Sequence, residues 1–306
     1  MLSAFIKYIT AIIIFSFTSG YAKTIGIIQV IEHPALDATR QGLIETLQKL
    51  APDYKVSWYS AQGDMATAVQ LTQKFVGRKV AAIVTLGTMP TQVAVRICQQ
   101  ATIPVIFASV TDPRSAGLLG KACGVSNFVD VERQIAAIKE ILPRLKRLGI
   151  IYNPSEANSE KLLSLTRQAC QEKGIDLQCA IAVKTADVAM ATQKLVGAVD
   201  ALFINNDNTA LAAFPCVIRV ADKAKIPVFA SDVDLIKSGA LAVLGPDQYR
   251  IGIQAAHMVN KILVAGPIFD ATSVTYPDSV SLTINPEKMK SLGVPTDPMP
   301  NGKEIQ

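Results

Sequence analysis

The chain has 306 residues, of which 50% are hydrophobic and 18% are charged, and its formal net charge at pH 7 is +5. This composition is that of a folded globular protein and excludes a disordered or collagen-like chain. Lysine and arginine are scattered rather than clustered, so we expect no nucleic-acid partner.

Residues 1–22 have the layout of a secretory signal peptide. A start with one lysine precedes the apolar stretch 8–17, and small residues lead to Ala22, after which cleavage is expected. The stretch is shorter than the roughly 20 residues of a membrane span. No cysteine follows it directly, so a lipid anchor is not expected. The mature protein is predicted to be periplasmic in a two-membrane bacterium, with an uncleaved N-terminal anchor as the alternative.

From residue 23 onward, short strand-like runs alternate with helical runs. In the first half, the hydrophobic pattern predicts helices at 34–50, 64–77 and 90–100, and strands at 24–30, 54–60, 80–86 and 104–109. Several of these strands are apolar throughout. That is typical of a parallel sheet with helices on both faces.

The pattern then restarts with a second series of the same kind. The predicted helices are 131–146, 159–173, 186–196, 211–224 (broken or offset at Pro215) and 249–264, and the strands are 147–152, 176–183, 201–204, 227–231 and 241–244. The fold class is therefore α/β, with two doubly wound, Rossmann-like lobes joined by a multi-strand hinge. We expect the first lobe to comprise 23–125 and 245–270, and the second to comprise 126–244 and 271–306.

Polar side chains concentrate where the apolar strands end. Open parallel sheets bind ligands beyond the carboxyl ends of their strands, close to helix N-termini. The loops at these places supply the candidate ligand-binding residues, which are His33, Thr88, Asp112, Asn153, Ser155, Glu156, Asn158, Asp207 and Asp232.

These candidates suit a ligand that carries both charges. Thr88 precedes a predicted helix start, where free N–H groups and the helix dipole stabilise a carboxylate. Asp207 and Asp232 suit an ammonium group. Helix capping is the alternative for Thr88, and an N-cap or turn role is the alternative for each acid. Glu156 equally fits a capping arrangement, and His33 fits a hydrogen-bonding loop residue.

Motifs of enzymes and cofactor sites are missing from the sequence. We find no GxGxxG after a strand, no P-loop, no GxSxG and no metal-ligand cluster. No cofactor or metal is therefore expected, and an enzyme is the weaker alternative. A Cys170–Cys179 bridge and buried free thiols are alternatives for the cysteines, which are Cys98, Cys123, Cys170, Cys179 and Cys216.

The loops taken together resemble one known family. The segments that carry the resemblance are, in chain order, IEHPALDATRQGL, SAQGD, TLGTMPTQ, IPVIFASVTDPRSAGLL, LGIIYNPSEANSEKL, DALFINNDNT, IPVFASDVD and GALAVLGPDQYRIG. They are similar to the ABC transporter substrate-binding family that includes tryptophan- and tyrosine-binding importer components. The similarity covers residues 24–294, and the sequence departs from the family's commonest form at Met89 and at 245–248.

The resemblance implies a type I periplasmic-binding fold, with two lobes, three crossings and a cleft between them. It implies an amino-acid ligand, often aromatic, bound by the nine candidate residues and delivered to a membrane permease with a cytoplasmic ATPase. We expect a monomer. An exported sensor without transport, and a ligand of another class such as a nucleoside, are the alternatives.

Overall fold

The computed structural model describes residues 24–266 and 273–295 and the backbone of 304–305. The predicted signal peptide and its cleavage site lie outside these residues. Within the described ranges, no helix combines the length and the apolar character that crossing a membrane would require.

The first lobe is built on a parallel sheet. Its strands are β1 (Thr24–Gln29), β2 (Lys55–Ser60), β3 (Ala82–Leu86), β4 (Val105–Val110), β5 (Cys123–Ser126) and β11 (Val274–Thr275). They lie in the order β11-β5-β4-β3-β1-β2, and all neighbours are parallel. The helices of this lobe are α1 (Pro34–Leu50), α2 (Met65–Gly77), α3 (Thr88–Cys98) and α9 (Gln248–Ala265).

The second lobe has a similar plan with an antiparallel edge. Its strands are β6 (Arg147–Tyr152), β7 (Asp176–Ile181), β8 (Ala201–Ile204), β9 (Val228–Ala230), β10 (Ala242–Pro246), β12 (Val280–Ile284) and β13 (Glu304–Ile305). The order is β13-β12-β10-β9-β8-β6-β7, and β12 is antiparallel to both of its neighbours. The helices are α4 (Val131–Ile141), α5 (Ala157–Glu172), α6 (Val188–Leu195), α7 (Asn208–Ala212), α8 (Phe214–Ala224) and α10 (Pro286–Leu292).

Apolar side chains cover both faces of each sheet. β3 and β4 are buried along their whole length. Two buried apolar clusters lie in the first lobe and two in the second. The predicted α/β class with two doubly wound lobes is confirmed.

Two predicted helices differ from the observed ones because of proline. The helix predicted over 131–146 ends at Ile141, since Pro143 cannot donate an N–H and disfavours helical geometry at the residue before it. The helix predicted over 211–224 is two helices, α7 and α8, and Pro215 lies in the first turn of α8.

The chain passes between the two sheets after β5, after β10 and after β11. Two short segments belong to a different sheet from the one expected from the predicted lobe division. Residues 245–246 belong to β10 in the second sheet, and 274–275 form β11 in the first. The division of the whole chain into lobes otherwise stays a prediction.

The cysteines are free thiols. Cys98, Cys123 and Cys170 are buried, and burial raises the pKa of each to about 11. The buried-thiol interpretation therefore holds for these three. Cys179 is exposed and is not bridged to Cys170.

Helices α1 and α9 approach each other backbone to backbone, and glycine permits this. A Cβ added at Gly42 would lie 2.1 Å from the carbonyl oxygen of Tyr249, and one added at Gly252 would lie 2.1 Å from that of Thr39. Both distances are far inside van der Waals contact with atoms that cannot rotate away. The close crossing brings the first turn of α9 against the second and third turns of α1.

Gly252→Ala should lower the free energy of unfolding by about 2 kcal/mol, because the helices must separate to admit the methyl group. Urea denaturation of the purified protein measures this. Gly77→Ala is the matched control, since a Cβ there meets nothing within 4 Å. Equal stability of the two variants would contradict the close packing of α1 on α9.

Candidate ligand-binding site

A narrow polar cavity lies between the lobes, at the carboxyl ends of both sheets. Six of its lining residues come from the first lobe: His33, Ala35, Leu36, Thr88, Ser109 and Thr111. Five come from the second lobe: Asn158, Asn206, Asn208, Leu211 and Asp232. Asn127 and Gln248, at the crossings, complete the wall. Of the nine residues predicted from sequence, His33, Thr88, Asn158 and Asp232 line this cavity.

The start of α3 forms the part of the cavity suited to an anion. Gly87 precedes the helix with φ +98°, and its Cβ position would lie 2.8 Å from Val30 Cγ1, so glycine is required there. Gly87, as the N-cap residue, has no side chain that could cap the helix. Thr88 is buried at the first helical position and lines the cavity. The unpaired N–H groups and the helix dipole therefore favour a carboxylate here.

The carboxyl group of Asp232 forms the part suited to a cation. Its side chain is 1% exposed, and Oδ1 accepts a hydrogen bond from Gln248 Nε2. Among the described residues no donor bonds to Oδ2. Burial raises the pKa of Asp232 to about 7, the bond from Gln248 opposes this, and the charge of Asp234 adds to it. An ammonium group in the cavity would supply the missing positive partner.

His33 caps α1 and also reaches the second lobe. Its Nδ1 accepts from the N–H of Leu36 at 3.4 Å, and its Nε2 lies 3.5 Å from Asn208 Oδ1. An accepting Nδ1 carries no proton, so the proton is on Nε2 and points to Asn208. Burial lowers the pKa of His33 to about 4, against smaller opposing effects of Asn208 and Asp37. The imidazole is therefore neutral at pH 7.

Glu156 organises the second-lobe loops from outside the cavity. Its Oε2 accepts from the backbone N–H of Asn208 at 3.0 Å and from its Nδ2 at 2.6 Å. Its Oε1 accepts from the N–H and the hydroxyl of Thr209 at 3.0 and 2.7 Å. Asn158 Nδ2 donates to Oε2 at 3.3 Å. Glu156 thus fixes two residues of the cavity wall, Asn158 and Asn208, rather than lining it.

Asp207 and Asn153 also lie behind the wall. Asp207 caps α7, and its carboxylate accepts from the N–H groups of Ala210 and Asn153 and from the Ser159 hydroxyl, at 2.7, 2.6 and 2.6 Å. Burial, followed by the charge of Glu156, raises its pKa to about 7. Asn153 Nδ2 donates to Thr209 Oγ1 at 2.9 Å. Neither side chain lines the cavity, and direct ligand contact by them stays a prediction.

The two remaining predicted residues are further out. Ser155 is exposed, and its N–H donates to Asn153 Oδ1. Asp112 accepts from the N–H and the hydroxyl of Ser115, and its Oδ2 lies 4.0 Å from Lys161 Nζ in the second lobe. Burial acts to raise the pKa of Asp112, but the bonds from Ser115 and the charge of Lys161 lower it overall. Asp112 is therefore a contact between the lobes outside the cavity.

Several wall residues were not predicted from sequence. Asn206 and Asn208 flank the predicted Asp207, and their position in the loop after β8 could have indicated them. Ser109 lies inside a strand and is brought to the wall by the irregular register between Ala108 and Val110, where its φ is +55°. Gln248 begins a helix that was predicted to start one residue later. The hydrophobic pattern of the sequence did not indicate that Ser109 or Gln248 would line the cavity.

The chain was compared with known families and relatives. The family model described as ABC transporter substrate binding protein matches residues 24–298. This is a family of binding proteins and not of enzymes. The tyrosine-binding protein of Clostridioides difficile (strain R20291) is 31% identical over 281 residues, which cover 88% of this chain and 81% of that protein.

Two solved structures are similar over most of the chain. An ABC domain from Streptococcus pneumonia in complex with L-Trp has a TM-score of 0.83 and 25% identity, covering 90% of this chain and 96% of that chain. The ligand-free, open structure of a substrate-binding protein with adhesive properties from Clostridium difficile has a TM-score of 0.64 and 31% identity, covering 90% and 97%. These similarities agree with the family that the sequence motifs resemble.

Proposed function

Because the chain belongs to the ABC transporter substrate-binding family, we propose that it captures an aromatic amino acid between its lobes and delivers it to an ABC importer. One observation carries this proposal. A single cavity holds the uncapped start of α3 at Thr88 on one lobe and the buried carboxyl of Asp232 on the other. The first suits the carboxylate of an amino acid and the second suits its ammonium group.

The aromatic character of the ligand is supported by the relatives. One is described as binding tyrosine and another is in complex with L-Trp. In this chain, Ala35, Leu36 and Leu211 supply the apolar part of an otherwise polar wall. An aromatic side chain buried against them would gain the hydrophobic stabilisation that the polar groups do not provide.

The mechanism we propose is lobe closure around the ligand. Contacts between the lobes among the described residues include His33 to Asn208, Asp232 to Gln248, and Asp112 to Lys161. The TM-score is higher to the L-Trp complex than to the ligand-free, open structure, although the identity to the latter is higher. Both observations support a closed arrangement here. A ligand that touches both lobes shifts the population toward that arrangement.

The partners and the location follow from the same proposal. The protein would act in the periplasm as a monomer after removal of residues 1–22, and would hand its ligand to a permease driven by a cytoplasmic ATPase. Genes for such a permease and ATPase beside the gene for this chain would support import. Their absence would favour an exported sensor.

A ligand screen tests the assignment. L-Tyrosine and L-tryptophan should raise the melting temperature of the protein, because a ligand that binds the folded state stabilises it. Their methyl esters, which lack the carboxylate charge, and their deaminated analogues, which lack the ammonium group, should bind at least about tenfold more weakly in calorimetry. Equal affinity for acid and ester would count against the Thr88 site. A shift with nucleosides and with no amino acid would overturn the ligand class.

A further inference from the structure

Gln248 is a buried residue at the second crossing between the lobes. It is the first residue of α9, directly after the chain leaves β10 and the second lobe. Its side chain is 1% exposed and lines the cavity. A buried amide at a lobe crossing requires partners for its N–H and carbonyl groups, and those partners define what it does.

The amide of Gln248 joins both lobes. Its Oε1 accepts from the hydroxyls of Thr39 at 3.1 Å and Ser109 at 2.9 Å, which belong to α1 and β4 of the first lobe. Its Nε2 donates to Oδ1 of Asp232, which follows β9 in the second lobe. The two hydroxyl donors hold the amide oxygen toward the first lobe, so the nitrogen faces the carboxyl group.

This arrangement determines which oxygen of Asp232 remains for a ligand. Oδ1 is held by Gln248, while Oδ2 has no donor among the described residues. A hydrogen bond donated to a carboxyl group favours its ionised form, and Gln248 therefore opposes the effect of burial on Asp232. The same amide orients the carboxylate and ties it to the first lobe.

We propose that Gln248 is a positioning residue that orients the carboxyl group of Asp232, directs its free oxygen into the cavity and links the capture of an ammonium group to the contact between the lobes. This inference rests on the proposed function, in which the ligand presents an ammonium group to Asp232. The hydrogen bond from Gln248 to the Asp232 carboxyl group is present without ligand, so its effect can be measured in the ligand-free protein.

The test uses Gln248→Met, which keeps the length of the side chain and removes its hydrogen bonds. Gln254→Met is the matched control, because it makes the same change in the same helix at a residue whose amide donates to the Tyr276 carbonyl instead. Thr39→Val is a milder second variant, which removes one of the donors that hold the Gln248 amide and leaves Asp232 untouched.

The first measurement needs no ligand. The carboxyl carbon of Asp232, assigned by comparison with Asp232→Asn, is titrated by NMR. Gln248→Met should raise the titration midpoint by about one pH unit, Thr39→Val should raise it by less, and Gln254→Met should leave it unchanged. An unchanged midpoint in Gln248→Met overturns the positioning role, whatever the ligand is.

The second measurement is the affinity for L-tyrosine by calorimetry at pH 7. Gln248→Met should bind at least about tenfold more weakly than the wild type, and Gln254→Met should bind equally well. An unchanged affinity in Gln248→Met overturns the link to ligand capture. If the wild type does not bind L-tyrosine or L-tryptophan, the proposed function fails, and the titration still decides whether Gln248 controls Asp232.

Discussion

Asp232→Asn should lower the affinity for L-tyrosine or L-tryptophan about a hundredfold at pH 8, which is about 2.7 kcal/mol. Asparagine keeps the shape of the side chain and removes only the negative charge. The ligand's ammonium group would then be buried without a counter-ion, and removing one partner of a buried charge pair costs several kcal/mol. Calorimetric titration of the two proteins measures the difference directly.

The same variant should have the opposite effect on the protein without ligand. There the carboxylate of Asp232 is buried without a cation, and asparagine relieves that cost, so the free energy of unfolding at pH 8 should rise. Asp234→Asn is the control, since Asp234 lies two residues away and does not line the cavity. If Asp232→Asn binds as well as Asp234→Asn does, Asp232 does not hold the ammonium group.

The affinity of the wild type should fall about fiftyfold between pH 7 and pH 5, approaching a tenfold loss for each pH unit well below 7. Burial raises the pKa of Asp232 to about 7 in the ligand-free protein, so below that pH the carboxyl group holds a proton. An ammonium group binds the ionised form only, and the ligand itself keeps both charges over this range. Binding must therefore release the proton.

Calorimetry in buffers of different ionisation enthalpy counts that proton. About one proton per ligand should be released at pH 6, and close to none at pH 8.5. His33 does not contribute in this window, because its pKa is about 4. Asp207 has a pKa of about 7 but lies behind the cavity wall, and Asp232→Asn retains it. A pH dependence that survives in Asp232→Asn would contradict the role of Asp232.

The raised pKa of Asp232 also determines how the stability of the ligand-free protein changes with pH. The folded protein holds the Asp232 proton between the ordinary pKa of 3.8 and the raised value of about 7, whereas the unfolded chain releases it. The stabilising contribution is thus complete below about pH 4 and is lost as the pH rises through 7. The stability advantage of Asp232→Asn over the wild type should accordingly grow between pH 5 and pH 8.

Most of the fold was predictable because buried parallel strands and amphipathic helices leave strong periodic patterns. The helix predicted over 34–50 and the strands predicted over 147–152 and 201–204 match α1, β6 and β8. The short strands β5 and β11 left no such pattern, because β11 has only two residues and β5, with the sequence CGVS, has no continuous apolar run. Their pairing depends on contacts distant in sequence.

The site was predictable in location and less so in its individual residues. Thr88 and Asp232 follow apolar strands, and that rule finds the correct edge of each sheet. It does not separate residues that face the cavity from those that support them, since Asp207 and Asp232 both lie in the loops that directly follow strands, β8 and β9. A carboxylate that caps a helix, as that of Asp207 does, already accepts hydrogen bonds from the protein. Whether it does so depends on the backbone conformation of the next turn.

The packing of α1 on α9 also imposes an order on how the chain acquires its structure. The two helices are separated by residues 51–247, so the first lobe lacks a central part of its core until that length of chain has been synthesised. The second lobe has most of its strands in the continuous stretch 147–246. As the polypeptide emerges from the ribosome, five strands of each sheet are therefore exposed before α9 can pack on the first lobe, and β12 and α10 complete the second lobe later still.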